Sequence, residues 1–237
     1  MNDKPKLIFW NTKEGKRRLF ESQYANHFYA LAHLFERQIK PTYCGIASSV
    51  MVLNALRLRK KGLTLETKLD VQLPGEGKMA FNCYTQITFF DARKEQGKSR
   101  KKVEGKCEEG FDPGFALGDL GRKLRLLLLD VNIIETKTSS DVLIKRFRHD
   151  LMAYLNESQT FVIANFDSKT LGREGGGHFS PIVAYHPETD SCLVMDVAGH
   201  KNPWFWVPVS LMHAAMNTKD GDGIYRGYLV VSDKLDK

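Results

Sequence analysis

Cysteine is scarce in this sequence, and the cysteines that are present lie far apart. There are 4 in 237 residues, at positions 44, 83, 107 and 192. None belongs to a CxxC pair, so the spacing does not suggest a zinc site, and we assign no metal ligands. The spacing is also unlike the disulfide framework of a small secreted protein. We therefore expect a reduced, cytoplasmic setting.

Long apolar runs are missing as well. The longest run, 124–131, is interrupted by Arg125 and Asp130, and it falls far short of the roughly 20 residues that cross a bilayer. Residues 1–6 lack the apolar stretch of a signal peptide. We expect no membrane partner.

Positive charge is in moderate excess and mostly dispersed. The formal net charge is +7, and the densest basic run is 93–102. This run belongs to a charged segment, 93–110, that we interpret as a solvated loop without an assigned role. No nucleic-acid-binding motif accompanies it, so we expect no nucleic-acid partner. A hydrophobic fraction of 42% and a charged fraction of 27% indicate a globular protein. The length predicts one domain over 1–237, which could be divided into two lobes.

Hydrophobic periodicity predicts an α+β fold. Residues 4–16 are predicted to form a strand or an arm, and 62–115 is the least regular part of the chain. Helices are predicted over 18–35, 45–58, 117–129, 140–156 and 210–217, and strands over 132–136, 160–166, 179–185, 192–197 and 227–232.

Cys44 lies at the predicted start of a largely apolar helix, directly after Pro41 and Thr42. Unpaired backbone N–H groups and the helix dipole favour an anion in the first turn of a helix. Since the thiolate is the reactive form of cysteine, this position suits a nucleophile. A small buried hydrophobe is the alternative interpretation, because free cysteines often have that role.

His178 and Asp196 fall on a predicted hairpin. His178 follows three glycines at the start of the first strand, and Asp196 lies near the end of the return strand. The two side chains could then meet, with the carboxylate holding one ring nitrogen while the other faces a thiol. The alternative is a histidine satisfied in a turn and an aspartate that caps a strand end.

Gln38 lies six positions before Cys44, in the loop that enters the helix. Its side-chain amide and the backbone N–H of Cys44 could together form an oxyanion hole. Taken alone, Gln38 is as well explained as a solvated loop residue.

Four stretches of this sequence resemble phytochelatin synthase. They are Gln38 to Asn54, the segment around Tyr84-Thr85-Gln86 with Phe89-Phe90, Gly175 to Trp206, and Tyr225 to Ser232. The resemblance covers most of the chain from Gln38 onward. It implies a papain-like cysteine protease fold, in which the nucleophile helix packs on an antiparallel sheet.

The resemblance also implies the activity of a glutathione γ-glutamylcysteinyltransferase. In that family a cysteine attacks the Cys–Gly bond of glutathione, glycine leaves, and a second glutathione or water takes the acyl group. Glutathione is thus the expected partner. Cadmium or zinc would stimulate the reaction as metal–glutathione thiolates, with no tightly bound cofactor, and a homodimer is suggested.

By resemblance, each candidate residue acquires a role. Cys44 is the nucleophile, His178 the general acid and base, Asp196 the orienting carboxylate and Gln38 the oxyanion-hole residue. Substrate-binding roles fall to the remaining three, which are Asn165, Gly177 and Arg226. Without the resemblance, an ordinary surface ion pair would explain Arg226.

Two features depart from the family pattern. Plant members carry a further cysteine-rich C-terminal region, which we do not expect here because the chain ends at Lys237. Residues 198–202 are Ala-Gly-His-Lys-Asn where the family commonly has Ser-Arg-Tyr-Lys-Tyr. This change predicts a weaker acceptor site and a larger share of hydrolysis. A papain-like peptidase or deamidase that acts on a protein is the alternative function.

Overall fold

A seven-stranded antiparallel sheet forms the centre of the molecule in the computed structural model. The structure describes residues 7–58, 69–73, 77–81, 83–90, 97–106, 113–201 and 203–234. The sheet order is β1-β8-β7-β6-β5-β9-β4, and β2 and β3 form a separate hairpin. The strands are β1 Ile8–Phe9, β2 Leu69–Leu73, β3 Gly77–Phe81, β4 Leu129–Glu135, β5 Thr160–Asp167, β6 Gly177–His186, β7 Ser191–Val194, β8 Phe205–Pro208 and β9 Gly227–Asp233.

Helices cover both faces of the sheet. They are α1 Lys13–Glu21, α2 Asn26–Ala32, α3 Cys44–Arg57, α4 Arg100–Val103, α5 Leu117–Leu126, α6 Asp141–Tyr154 and α7 Val209–Met216. Side chains alternate along β5, as a sheet buried on both faces requires. Phe161 and Ile163 join the core around α3, whereas Val162 and Ala164 join the core around α6 and α7. The predicted α+β class with an antiparallel sheet is confirmed.

Helix α3 is buried along nearly its whole length, so it forms the centre of one core. Its two polar residues in the second turn are satisfied internally: the Ser48 and Ser49 hydroxyls donate to the carbonyls of Cys44 and Gly45. Such bonds within the helix remove the cost of burying a hydroxyl. A rigid, buried helix therefore carries Cys44 at its first residue.

The segment 83–90 is bound to α3 by polar contacts. Asn54 donates through Nδ2 to the Tyr84 carbonyl at 2.9 Å and accepts from the Tyr84 amide at 2.8 Å. Gln86 accepts from the backbone of Ile39 through Oε1. The conspicuous Tyr84-Thr85-Gln86 motif thus has a structural role, since it ties the loop before Cys44 to the helix.

Several predicted elements differ from the structure. The strand or arm predicted over 4–16 contains β1 at Ile8–Phe9, but the prediction is wrong from Lys13 onward, where α1 begins behind a Thr12 cap. The predicted helix over 18–35 is interrupted between α1 and α2, where Tyr24 forms a β-bridge to Tyr185. The strand β8, which pairs with β1 and β7, was not predicted; its short aromatic sequence lies between two prolines. The hairpin of β2 and β3 and the helix α4 fall in the stretch predicted to be irregular, and parts of the 93–110 segment, with Cys107, lie outside the described residues.

In the described part of the chain, no helix combines the length and the apolar character needed to cross a membrane.

The buried ion pair between Arg57 and Asp233 offers a test of this packing. Arg57 donates through Nε and Nη2 to the two carboxylate oxygens, each at 2.9 Å, and the two side chains are 5% and 0% exposed. Removing one partner of such a pair costs about 3–5 kcal/mol. We expect Arg57→Met to lower the free energy of unfolding in urea by that amount. The control Arg122→Met breaks the exposed pair with Asp119 and should cost under about 1 kcal/mol; equal losses would contradict the assignment.

Candidate active site

Three elements bring Cys44, His178 and Asp196 together. Cys44 is the first residue of α3, His178 is the second residue of β6, and Asp196 follows the end of β7. Because β6 and β7 are antiparallel neighbours, the start of one lies beside the end of the other. The hydrogen bond between His178 Nε2 and Asp196 Oδ1 is 2.8 Å long.

The remaining ring nitrogen of His178 faces the thiol of Cys44. His178 lowers the pKa of the Cys44 thiol, and the thiol in turn raises the pKa of His178; since Nε2 bonds to Asp196, Nδ1 is the ring nitrogen left for sulfur. Backbone N–H groups of Gly45 and Phe179 also face the sulfur. A thiol flanked by an imidazole and two amide donors is placed to ionise.

The electrostatics favour a thiolate–imidazolium pair. Burial is the largest influence and raises the pKa of the Cys44 thiol, but His178 and the backbone N–H groups of Phe179 and Gly45 together outweigh it and the net shift is downward. Burial opposes the charged form of His178, yet the bonds to Asp196 and Cys44 outweigh it and raise the pKa of the imidazole to about 9. Burial also raises the pKa of Asp196, but His178 and then Arg173 lower it well below its usual range. Both shifts therefore favour the charged forms of the pair.

A cavity of about 200 Å³ opens beside Cys44. Its lining includes the three predicted substrate-binding residues, Asn165, Gly177 and Arg226, together with Asp220. Asn165 is 2% exposed and donates through Nδ2 to the His178 carbonyl at 3.2 Å, so it also fixes the backbone that carries the imidazole.

Arg226 is buried in this cavity without an anionic partner among the described residues. It is 9% exposed, and its Nε has no hydrogen-bond acceptor in the described part of the protein. The guanidinium lies against Gly177: a Cβ at that glycine would fall 2.6 Å from Nη1. A buried cation with unused donors is matched to an incoming carboxylate.

Gln38 lines a second, smaller cavity of about 120 Å³ that adjoins His178 and Asp196. Its backbone N–H donates to the Val197 carbonyl at 3.0 Å, which ties the loop before Cys44 to the end of β7. Its side-chain Nε2 donates to the carbonyls of Lys40 and Pro41, both at 2.9 Å. An oxyanion role would therefore require Gln38 to exchange one of these bonds, and the role stays a prediction.

Sequence reasoning missed two residues that complete the site. Asp220 lines the larger cavity, and Arg173 pairs with Asp196. Both residues lie on loops, where no hydrophobic periodicity indicates which way a side chain points. The only signal was their charge, which surface residues share.

Among the described residues, one group has the composition of a metal site. The ligand atoms of Glu21, His186 and Glu188 lie within 4.8 Å of one another. Glu21 already has a cationic partner within the protein, because Arg17 Nη1 lies 2.5 Å from Glu21 Oε2. We assign no metal there.

Comparison with known proteins places this site in a family. The family model described as phytochelatin synthase matches residues 3–228. The chain belongs to the phytochelatin synthase family. It is similar to glutathione γ-glutamylcysteinyltransferase 3 of Lotus japonicus, with 27% identity over 96% of this chain and 43% of the relative.

Similar relatives occur in wheat and fission yeast. Glutathione γ-glutamylcysteinyltransferase 1 of Triticum aestivum is 28% identical over 96% of the chain and 41% of its own length. The Schizosaccharomyces pombe enzyme of that name is 28% identical over 91% of the chain and 45% of its own length. This phytochelatin synthase homologue thus spans less than half the length of these curated relatives.

The Cys44 geometry predicts an unusual pH profile for alkylation. A free thiol loses about tenfold in reactivity per pH unit below its pKa of about 8.5. Cys44 should stay reactive with iodoacetamide between pH 6 and 9, because His178 remains positively charged below its pKa of about 9 and holds the thiolate. Peptide mass spectrometry would measure the rates, with buried Cys192, whose pKa is raised by burial, as internal reference. His178→Gln should slow alkylation at pH 6.5 by about tenfold or more; an unchanged rate would refute the ion pair.

Proposed function

We propose that this chain is a thiol acyltransferase and hydrolase that cleaves the Cys–Gly bond of glutathione. The observation that carries the proposal is the buried Arg226, which has no anionic partner among the described residues and lines the same cavity as Cys44. Glutathione offers a free α-carboxylate on its γ-glutamyl end. The names of the relatives, which specify transfer of a γ-glutamylcysteinyl group from glutathione, support this substrate.

The proposed reaction has two steps. The Cys44 thiolate attacks the carbonyl carbon of the cysteinyl residue in glutathione, and the His178 imidazolium gives its proton to the departing glycine amine. A γ-glutamylcysteinyl thioester on Cys44 results. Neutral His178 then takes a proton from the acceptor as it attacks, and the thiolate leaves. With water as acceptor the product is γ-glutamylcysteine; with a second glutathione it is a phytochelatin.

Substrate recognition in the larger cavity follows from charge. Arg226 would bind the α-carboxylate of the γ-glutamyl group, and Asp220 offers a carboxylate for the neighbouring ammonium. Asp220 is held in place because its Oδ1 accepts from the backbone N–H groups of Asp222 and Ile224, at 3.1 and 2.8 Å. An acyl group held at its far end is oriented toward Cys44.

The tetrahedral intermediate requires donors for its oxyanion. The backbone N–H of Cys44 is in the first turn of α3 and has no partner within the helix. Gln38 would supply the second donor once its Nε2 turns from a loop carbonyl toward the substrate.

A papain-like architecture would account for these positions. The nucleophile begins a buried helix, and the histidine stands on an adjacent antiparallel strand. We propose that 1–237 forms one such catalytic domain, acting in the cytoplasm where glutathione is abundant. Cadmium or zinc would enter as metal–glutathione thiolates, as substrates rather than as cofactors of the protein, and the domain would form a homodimer.

Release of glycine tests the proposed function directly. The purified chain, incubated with glutathione with and without cadmium, should release free glycine, quantified by amino-acid analysis. Cys44→Ala should abolish the release, because it removes the sulfur on which the acyl-enzyme is proposed to form, whereas Cys83→Ala should retain it. Absence of glycine from the unaltered chain would reject the glutathione reaction in favour of a peptidase or deamidase.

The contact between Gly177 and Arg226 gives a second test. A methyl group at Gly177 would fall 2.6 Å from the guanidinium, whereas one at Gly176 would meet nothing within 4 Å. Gly177→Ala should therefore displace Arg226 and raise the KM for glutathione by about tenfold with a smaller effect on kcat, and Gly176→Ala should behave like the unaltered chain.

Alkylation of Cys44 serves as the control for the neighbouring triad. If Gly177→Ala leaves the alkylation rate unchanged while KM rises, the effect lies in substrate binding. Equal KM values for the two alanine variants would contradict the role of Arg226.

A further inference from the structure

Asp196 contacts more than His178. Its side chain is 1% exposed, and its two oxygens have different neighbours. Oδ1 accepts from His178 Nε2 and from the backbone N–H of Ala198, both at 2.8 Å. Oδ2 accepts no hydrogen bond from the described residues, and Arg173 Nη2 lies 2.7 Å away as an ion-pair partner.

Arg173 is itself held in place. Its side chain is 11% exposed, and its guanidinium carbon lies 4.3 Å above the centre of the Phe205 ring. This stacking confines the planar group on one face. The cation therefore stands at a fixed position on the side of Asp196 opposite His178.

The charges of the buried site balance only when Arg173 is counted. The Cys44 thiolate, the His178 imidazolium and the Asp196 carboxylate together carry one negative charge. A buried net charge is costly unless it is paired, and Arg173 brings the sum to zero. The other ionisable groups that face this side line the smaller cavity, where Glu174 and Lys201 are of opposite sign.

We propose that Arg173 is a positioning residue of the reaction, which holds the Asp196 carboxylate with Oδ1 toward His178 and neutralises the buried charge of the site. The inference rests on the proposed function, because it assigns Arg173 to the machinery that serves Cys44. Arg173 does not touch the reacting atoms; it acts through Asp196.

The cation should also limit how tightly His178 holds its proton. Without Arg173, the full charge of Asp196 would act on the imidazolium and raise the pKa of His178 further, making it a poorer acid toward the glycine amine. Loss of the positive charge would disfavour the nearby thiolate as well. In a plot of rate against pH, the acidic limb, set by Cys44, and the basic limb, set by His178, should then both move to higher pH by roughly half a unit to one unit.

Arg173→Gln and Arg173→Lys separate charge from geometry, and Arg148→Gln is the matched control. Arg148 forms an ion pair with Asp190 at 2.6 Å, away from the site. For each variant, alkylation of Cys44 and glycine release from glutathione are measured from pH 5 to 10. We expect Arg173→Gln to shift both limbs upward and to lower kcat by about tenfold with little change in KM. Arg173→Lys should keep the limbs in place and recover part of kcat.

A profile for Arg173→Gln that superimposes on that of the unaltered chain would overturn the inference, as would the same shift in Arg148→Gln. Should Arg173→Gln fail to fold, Arg173→Met, which can still pack on Phe205, replaces it. Alkylation does not depend on glutathione. A shifted alkylation profile in a chain that releases no glycine would therefore support the role of Arg173 while rejecting the proposed substrate.

Discussion

The hydrogen bond between His178 and Asp196 is the interaction on which the site depends. It is 2.8 Å long and joins the start of β6 to the segment that leaves β7. A carboxylate that is 1% exposed is tolerated only because each oxygen has a polar or charged neighbour. In return, the carboxylate fixes the imidazole in one orientation and favours one tautomer of its neutral form. The thiol of Cys44 then meets a ring nitrogen that is already turned toward it.

The rigidity of α3 holds the Cys44 thiol in position relative to His178. The helix lies within a core and is anchored at its far end by the Arg57–Asp233 pair. Polar contacts from Asn54 and Gln86 bind the loop before Cys44 to the same helix and its neighbours. The backbone bond from Gln38 to Val197 then closes the loop onto the end of β7. The nucleophile and its base are thus held by one continuous set of contacts rather than by two independent loops.

Sequence reasoning located the parts that depend on local pattern. Apolar spacing predicted α3 and the hairpin of β6 and β7, and so brought His178 and Asp196 within reach of each other; the resemblance implied that Cys44 joins them. It failed where tertiary contacts override local preference. The helix predicted over 18–35 is interrupted because Tyr24 pairs with Tyr185, a contact 161 positions away in the sequence. Gln38 lies in the predicted loop, yet its side-chain donors bind loop carbonyls, a detail that spacing cannot encode. Arg173 and Asp220 were missed because their roles are set by the loops that carry them.

Two arginines in this site differ in whether they have an anionic partner among the described residues. Arg173 is paired with Asp196 and balances the combined charge of Cys44, His178 and Asp196. Arg226 is buried with its Nε unsatisfied among the described residues, so its guanidinium keeps an unused donor although Asp220 lines the same cavity. Under the proposed function, a ligand that brings a carboxylate to Arg226 would gain a charge-assisted bond without first displacing an anionic partner among the described residues. A neutral acyl chain would leave the buried guanidinium without that bond. Arg226 would thus select an acidic acyl donor, and Cys44 would supply the reactivity.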